Sequence, residues 1–114
     1  MIVEDDPDTR EMLERFLQLE GFEVRTAANG QLALQSLQSD SSPRVILLDL
    51  MMPVMNGWQF RQAQVRDPSL SRIPVVVVTA AGVREDIPAI EADGWLSKPV
   101  DFDRLLATIT PFCA

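Results

Sequence analysis

Histidine is absent from this chain. That removes the commonest general base and any phosphohistidine role for the chain itself. Cysteine occurs once, at Cys113, so no internal disulfide can form and a redox role would need a second chain. No apolar run has transmembrane length, and the first residues lack the basic-then-apolar order of a secretory signal, so a cytoplasmic location without membrane association is the expectation. Basic residues are few: 10 against 17 acidic ones, a net charge of −7. That balance is a poor match for a phosphate backbone, and direct nucleic-acid binding is not expected. Neither GxGxxG nor GxxxxGK[ST] occurs, so no glycine-rich loop is present to hold phosphate. At 114 residues the chain supports one domain, 1–114, with a single core and no separate output domain.

What is present is an alternation of short apolar runs and amphipathic segments. Ile2-Val3, Phe22 to Ala27, Val45 to Leu48, Val75 to Val78 and Gly94 to Ser97 read as strands. Helices are expected between and after them. The first starts at Pro7 with Asp6 as its cap and ends at Gly21; the second carries Leu32, Ala33, Leu34 and Leu37 after an Asn29-Gly30 turn. A third runs from about Trp58 to Val65. A fourth, Arg84 to Ala92, is poorly amphipathic and holds Pro88, which should start or kink it, and a last one presents Phe102, Leu105, Leu106 and Ile109. Five βα units with apolar central strands imply an α/β fold: a doubly wound parallel sheet with helices on both faces.

Asp49 stands out because it closes an otherwise apolar strand. In open α/β sheets the carboxyl ends of strands face the ligand crevice, so a charge there sits where chemistry is done. Glu4, Asp5 and Asp6 end the first strand, Thr79 the fourth, and Lys98 follows the fifth. Neighbouring strands lie about 5 Å apart, so these residues can converge. Clustered carboxylates repel one another and call for a divalent cation, with Mg²⁺ the natural choice for oxygen ligands. Asp49 could then attack a phosphoryl group while the ion, Lys98 and the Thr79 hydroxyl balance charge on its oxygens.

This residue set resembles the response-regulator receiver domains of two-component signalling, the CheY-like superfamily. Glu4-Asp5-Asp6, Asp49 followed by Met-Met-Pro-Val-Met-Asn-Gly, Thr79-Ala80, and Lys98-Pro99 preceded by Gly-Trp-Leu-Ser occur in the family's order over nearly the whole chain. The resemblance implies a (βα)5 domain with a five-stranded parallel sheet in the flavodoxin-like order 2-1-3-4-5. It makes Asp49 the phosphoacceptor. Asp5, Asp49 and the Met51 backbone carbonyl become Mg²⁺ ligands, and Glu4 a ligand through water. Asp6 is better explained as the helix cap. Lys98 would hold a phosphoryl oxygen, aimed inward by a Lys98-Pro99 bond that is commonly cis in the family, and Thr79 and Trp95 would be switch residues. A histidine kinase or histidine phosphotransfer protein is the implied donor. An output protein would be met through the face formed by the fourth helix, the fifth strand and the last helix, with phosphorylation-dependent dimerisation as a further expectation. No enzymatic activity is expected beyond the domain's own phosphorylation and dephosphorylation.

Two departures from the family pattern stand out. The stretch from Thr79 to Lys98 is shorter than usual and contains Pro88, and Asn56 replaces the more frequent Asp, a change a turn tolerates because Asn also accepts left-handed geometry. Bland accounts exist for each site residue: Glu4 and Asp5 as a solvated turn, Asp49 as a satisfied buried acid, Thr79 as a strand end, Lys98 as a surface lysine, and Trp95, Met51 and Met52 as packing. A receiver-like interaction module that is never phosphorylated is the alternative function. An aspartyl-phosphate hydrolase would need a second carboxylate just after Asp49, where Leu50 and Met51 stand.

Overall fold

The computed structural model describes residues 1–39, 42–52, 54–80 and 92–113. Five parallel strands form one sheet in the order β2-β1-β3-β4-β5, as the resemblance implied. They are β1 (Ile2–Val3), β2 (Thr26–Ala27), β3 (Ile46–Asp49), β4 (Val75–Ala80) and β5 (Gly94–Lys98). The described helices are α1 (Pro7–Leu19), α2 (Gly30–Ser39), α3 (Gly57–Arg66) and α4 (Phe102–Cys113). The helix expected over Arg84 to Ala92, with Pro88, falls almost wholly outside the described residues.

Alternation along the strands divides the core in two. Val3, Ile46, Leu48, Val75 and Val77 point to the face covered by α2 and α3, where they meet Ala33, Leu37 and Phe60. Ile2, Leu47, Val76 and Val78 point to the opposite face, where α1 and α4 contribute Leu13, Leu17, Leu105 and Ile109. Phe16 of α1 stacks on Phe102 of α4 with ring centroids 4.1 Å apart, joining the two helices on that face. Because the chain moves outward in opposite directions from β1 and from β3, the sheet's switch point lies between these two strands. A crevice opens there at their carboxyl ends.

Local signals set the helix ends. Asp6, in extended geometry, accepts from the Thr9 N–H at 3.1 Å, and Pro7 follows as the first helical residue. At the other end of α1, Gly21 adopts φ 93° while its N–H donates to the Gln18 carbonyl and the Phe22 N–H to the Leu17 carbonyl. That pair of bonds is a Schellman closure, which glycine makes without steric cost.

The structure corrects several boundaries. The expected strand from Phe22 shrinks to Thr26–Ala27, because β1 offers only Ile2 and Val3 as parallel partners; Phe22 and Val24 pack against the core instead. Asn29 is the cap of α2, its Oδ1 accepting from the Leu32 N–H at 2.9 Å, with Gly30 already helical. Asn56 is likewise a cap and does not use left-handed geometry. Its φ is −76°, and it exchanges bonds with Gln59 in a reciprocal capping box. The left-handed residue of that loop is Val54, at φ 68°.

Gly57 opens α3 directly against the end of β3, its N–H donating to the Leu50 carbonyl at 3.0 Å. A Cβ there would lie 2.7 Å from Leu50 Cα and 2.8 Å from the Asp49 carbonyl oxygen. Because those neighbours are largely backbone, they cannot move aside cheaply. Gly57→Ala is therefore expected to destabilise the domain by about 1–3 kcal/mol, read from urea unfolding midpoints.

Candidate functional site

Register brings the expected residues to one end of the sheet. Val3 pairs with Leu48, Asp49 with Val78, Thr79 with Ser97 and Ala80 with Lys98, so Glu4, Asp49, Thr79 and Lys98 lie on neighbouring strands at the same edge. Lys98 Nζ reaches across β3 and β4 to Glu4 Oε1 at 2.6 Å and lies 3.7 Å from Asp49 Oδ2. The Glu4 and Asp49 side chains are 3 % and 5 % exposed, whereas Lys98 keeps 29 %. Glu4, Asp5 and Asp49 each offer a carboxylate oxygen, and these atoms all lie within 4.8 Å of one another. The Thr79 hydroxyl is buried and makes no hydrogen bond among the described residues. The Lys98-Pro99 bond is cis, as expected from the resemblance.

The response regulator receiver domain family matches residues 1–110 of this sequence. The chain belongs to that family. A CpxR homolog described as a transcriptional regulatory protein of Haemophilus influenzae is 40 % identical over 114 residues, covering 96 % of this chain but 47 % of the relative. PilH of Pseudomonas aeruginosa is 34 % identical and is covered almost whole, 100 % of this chain against 96 % of PilH. The receiver domain thus spans about half the length of the first curated relatives it matches, while others share its length. Among solved structures, the chemotaxis response regulator CheY4 of Vibrio cholerae superposes with a TM-score of 0.86 at 34 % identity, covering 97 % of this chain and 94 % of that one. The response regulator TrrA of Thermotoga maritima, solved in complex with Mg²⁺ and BeF, superposes at 0.85 with 29 % identity over 97 % and 95 % of the two chains.

The electrostatics of the receiver site follow from burial. Desolvation, reinforced by the hydrogen bond to Glu4 and its charge, pushes the Asp49 carboxyl up to about 8; Lys98 and the Met51 N–H oppose the shift without cancelling it. Burial alone would lower the Lys98 ammonium. The Glu4 hydrogen bond and the charges of Asp49, Glu4 and Asp5 outweigh it and hold Lys98 above its ordinary value. One ammonium cannot neutralise three carboxylates. Among the described residues, hard oxygen donors in excess of nearby cations fit a divalent ion such as Mg²⁺, which Glu4, Asp5 and Asp49 could hold.

The remaining expected residues divide. Met51 keeps its backbone beside the acid, its N–H donating to Asp49 Oδ1 at 3.2 Å. Its side chain is 61 % exposed, which corrects the packing account for Met51; Met52 alone is buried. Trp95 is half-buried against the α2–α3 side of the core and pairs in register with Val77. One contributor escaped the sequence reading. Arg10 Nη1 donates to the Glu4 carbonyl at 2.9 Å and lies 3.4 Å from the Asp5 carbonyl. The available signal was a cation within a turn of a helix N-terminus, where the backbone dipole disfavours positive charge.

The raised Asp49 value makes stability depend on pH. Its folded value stands above the unfolded value of 3.8, so the bound proton stabilises the fold fully below that pH, and the stabilisation fades as pH rises through about 8. In EDTA, Asp49→Asn is expected to flatten this decline between pH 5 and 9 and to be about 1–3 kcal/mol more stable than wild type at the upper end, by urea denaturation.

Proposed function

We propose that Asp49 accepts a phosphoryl group from a phosphohistidine on a partner histidine kinase or phosphotransfer protein, and that the resulting acyl phosphate switches the domain's binding to an output partner. The observation that carries this reading is the pairing of buried Asp49 with Lys98 and two further carboxylates at the carboxyl edge of the sheet. In the transfer an Asp49 carboxylate oxygen forms the new bond to phosphorus as the phosphorus–nitrogen bond to the donor imidazole breaks; the imidazole leaves and takes a proton from solvent. Asp49 must therefore be ionised. A bound Mg²⁺, when present, supplies positive charge that offsets the repulsion among the carboxylates and the incoming oxygens.

Lys98, 3.7 Å from Asp49 Oδ2, stands within reach of a phosphoryl oxygen once its hold on Glu4 loosens. Thr79 supplies a buried hydroxyl that makes no hydrogen bond among the described residues. Strand alternation puts Thr79 on the same sheet face as Val77, the register partner of Trp95. A movement of Thr79 toward the phosphoryl group would thus be felt by the Trp95 ring two residues along the neighbouring strand. Phosphorylation adds charge and acceptor oxygens at one point, and this pair is the element it biases. The kinase partner, the output partner and phosphorylation-dependent dimerisation all belong to this reading.

Intact mass after incubation with Mg²⁺ and acetyl phosphate tests it. Wild type should gain one phosphoryl group and Asp49→Ala none, with Lys98→Met slowed by about 10²-fold. No gain in the wild type would leave the unphosphorylated interaction module as the function.

Met51 is exposed and bonds to Asp49 through its N–H, so its apolar side chain would obstruct water on its way to the acyl phosphate. Met51→Asn should shorten the lifetime of the phosphorylated form several-fold, followed as loss of the added mass after the donor is removed. Equal lifetimes would refute this role for Met51.

A further inference from the structure

The β1–α1 turn that carries Glu4 and Asp5 is fastened to the helix after it at two points. Asp6 caps α1 through the Thr9 N–H and hydroxyl. Arg10, one turn further on, covers the turn from the backbone side, with Nη1 2.9 Å from the Glu4 carbonyl and 3.4 Å from the Asp5 carbonyl. A guanidinium at this place opposes the helix dipole, so its position needs a local return. The two carbonyls supply it. Each belongs to a residue whose carboxylate is one of the three converging oxygen donors. Holding both carbonyls from one guanidinium nitrogen restrains the two peptide planes, and the planes set the directions in which the Glu4 and Asp5 side chains leave the backbone.

We propose that Arg10 is a positioning residue for the cation site: by holding the Glu4 and Asp5 carbonyls it presets the two carboxylates toward Asp49, so that the ion binds a ready-made set of donors. The assignment rests on the metal-dependent reading of the site given above. Groups that orient metal ligands from behind commonly contribute 10–100-fold in affinity. Arg10 fits that class because it touches the backbone of the ligand-bearing residues and not the ion. Lysine has donors enough for two carbonyls but a shorter reach and no planar, rigid head to hold them in one orientation, so it should substitute only in part.

Mg²⁺ titration by calorimetry, together with thermal unfolding with and without Mg²⁺, tests the assignment on wild type, Arg10→Met and Arg10→Lys. Methionine keeps an unbranched stem and removes the donors. The expected result is a Mg²⁺ affinity lowered about 10-fold in Arg10→Met and less in Arg10→Lys, with folding confirmed by circular dichroism. In phosphorylation by acetyl phosphate, the half-saturating Mg²⁺ concentration should rise while the rate at saturating Mg²⁺ stays near wild type. A purely structural role would lower the melting temperature without moving the Mg²⁺ constant. That outcome, or affinities within twofold of wild type in both variants, would overturn the assignment while leaving the site reading intact. Should wild type itself bind no Mg²⁺, the cation site and the role of Arg10 would fall together.

Discussion

Everything at the carboxyl edge of this sheet is conditioned by the repulsion between carboxylates held close together away from water. Glu4 and Asp49 are almost wholly buried, Asp5 stands beside them, and Lys98 is the ammonium that reaches the group. A domain of this size has little stability to spare, so a charge cluster of this kind persists only where the surrounding fold over-determines it. The raised Asp49 carboxyl is the direct expression of that constraint. It also defines what relieves it: a divalent cation, a proton, or transfer of Lys98 from one carboxylate to another.

The sheet makes the cluster unavoidable. Three apolar strands at its centre, β1, β3 and β4, are covered on both faces, and their registers leave no freedom to slide because each shift of one residue would exchange the two cores. With the register set, Asp49 must emerge beside Glu4, at the point where the direction of winding reverses. The contact of Gly57 with Leu50 and the Asp49 carbonyl holds the following loop close, and the Met51 N–H fastens the acid from the same side. Scaffold and site are therefore mechanically continuous.

The two sides of the site differ in how tightly they are held. On the β1 side, Asp6 and Arg10 tie the acidic turn to α1. On the β4 side, the Thr79 hydroxyl has no hydrogen-bond partner among the described residues, and Trp95 nearby is half-buried. Such asymmetry suits the switch proposed above, in which the β1 side stays fixed while the β4 side responds to added charge.

Much of this was legible in the residue order. The strands carrying Asp49 and Thr79, the cap at Asp6, the glycine closing α1 and the parallel sheet all follow from local pattern, since hydrophobic period and capping chemistry act over a few residues. The resemblance then named Glu4, Asp5, Asp49, Thr79, Trp95 and Lys98 as a set, and folding brings the Glu4, Asp5 and Asp49 carboxylates and the Lys98 ammonium together. Readings that depended on the folded surroundings fared worse: β2 is short because β1 offers few partners, and Met51 is exposed while Met52 is buried; the Asn56 cap, answered by Gln59 three residues on, was a local signal passed over. The choice of Glu4 as the partner of Lys98, the elevation of the Asp49 carboxyl and the grip of Arg10 on two carbonyls were decided by tertiary structure alone. Each depends on distances between groups brought together by folding, and electrostatic energy varies with those distances and with the exclusion of water, neither of which is written in the order of residues.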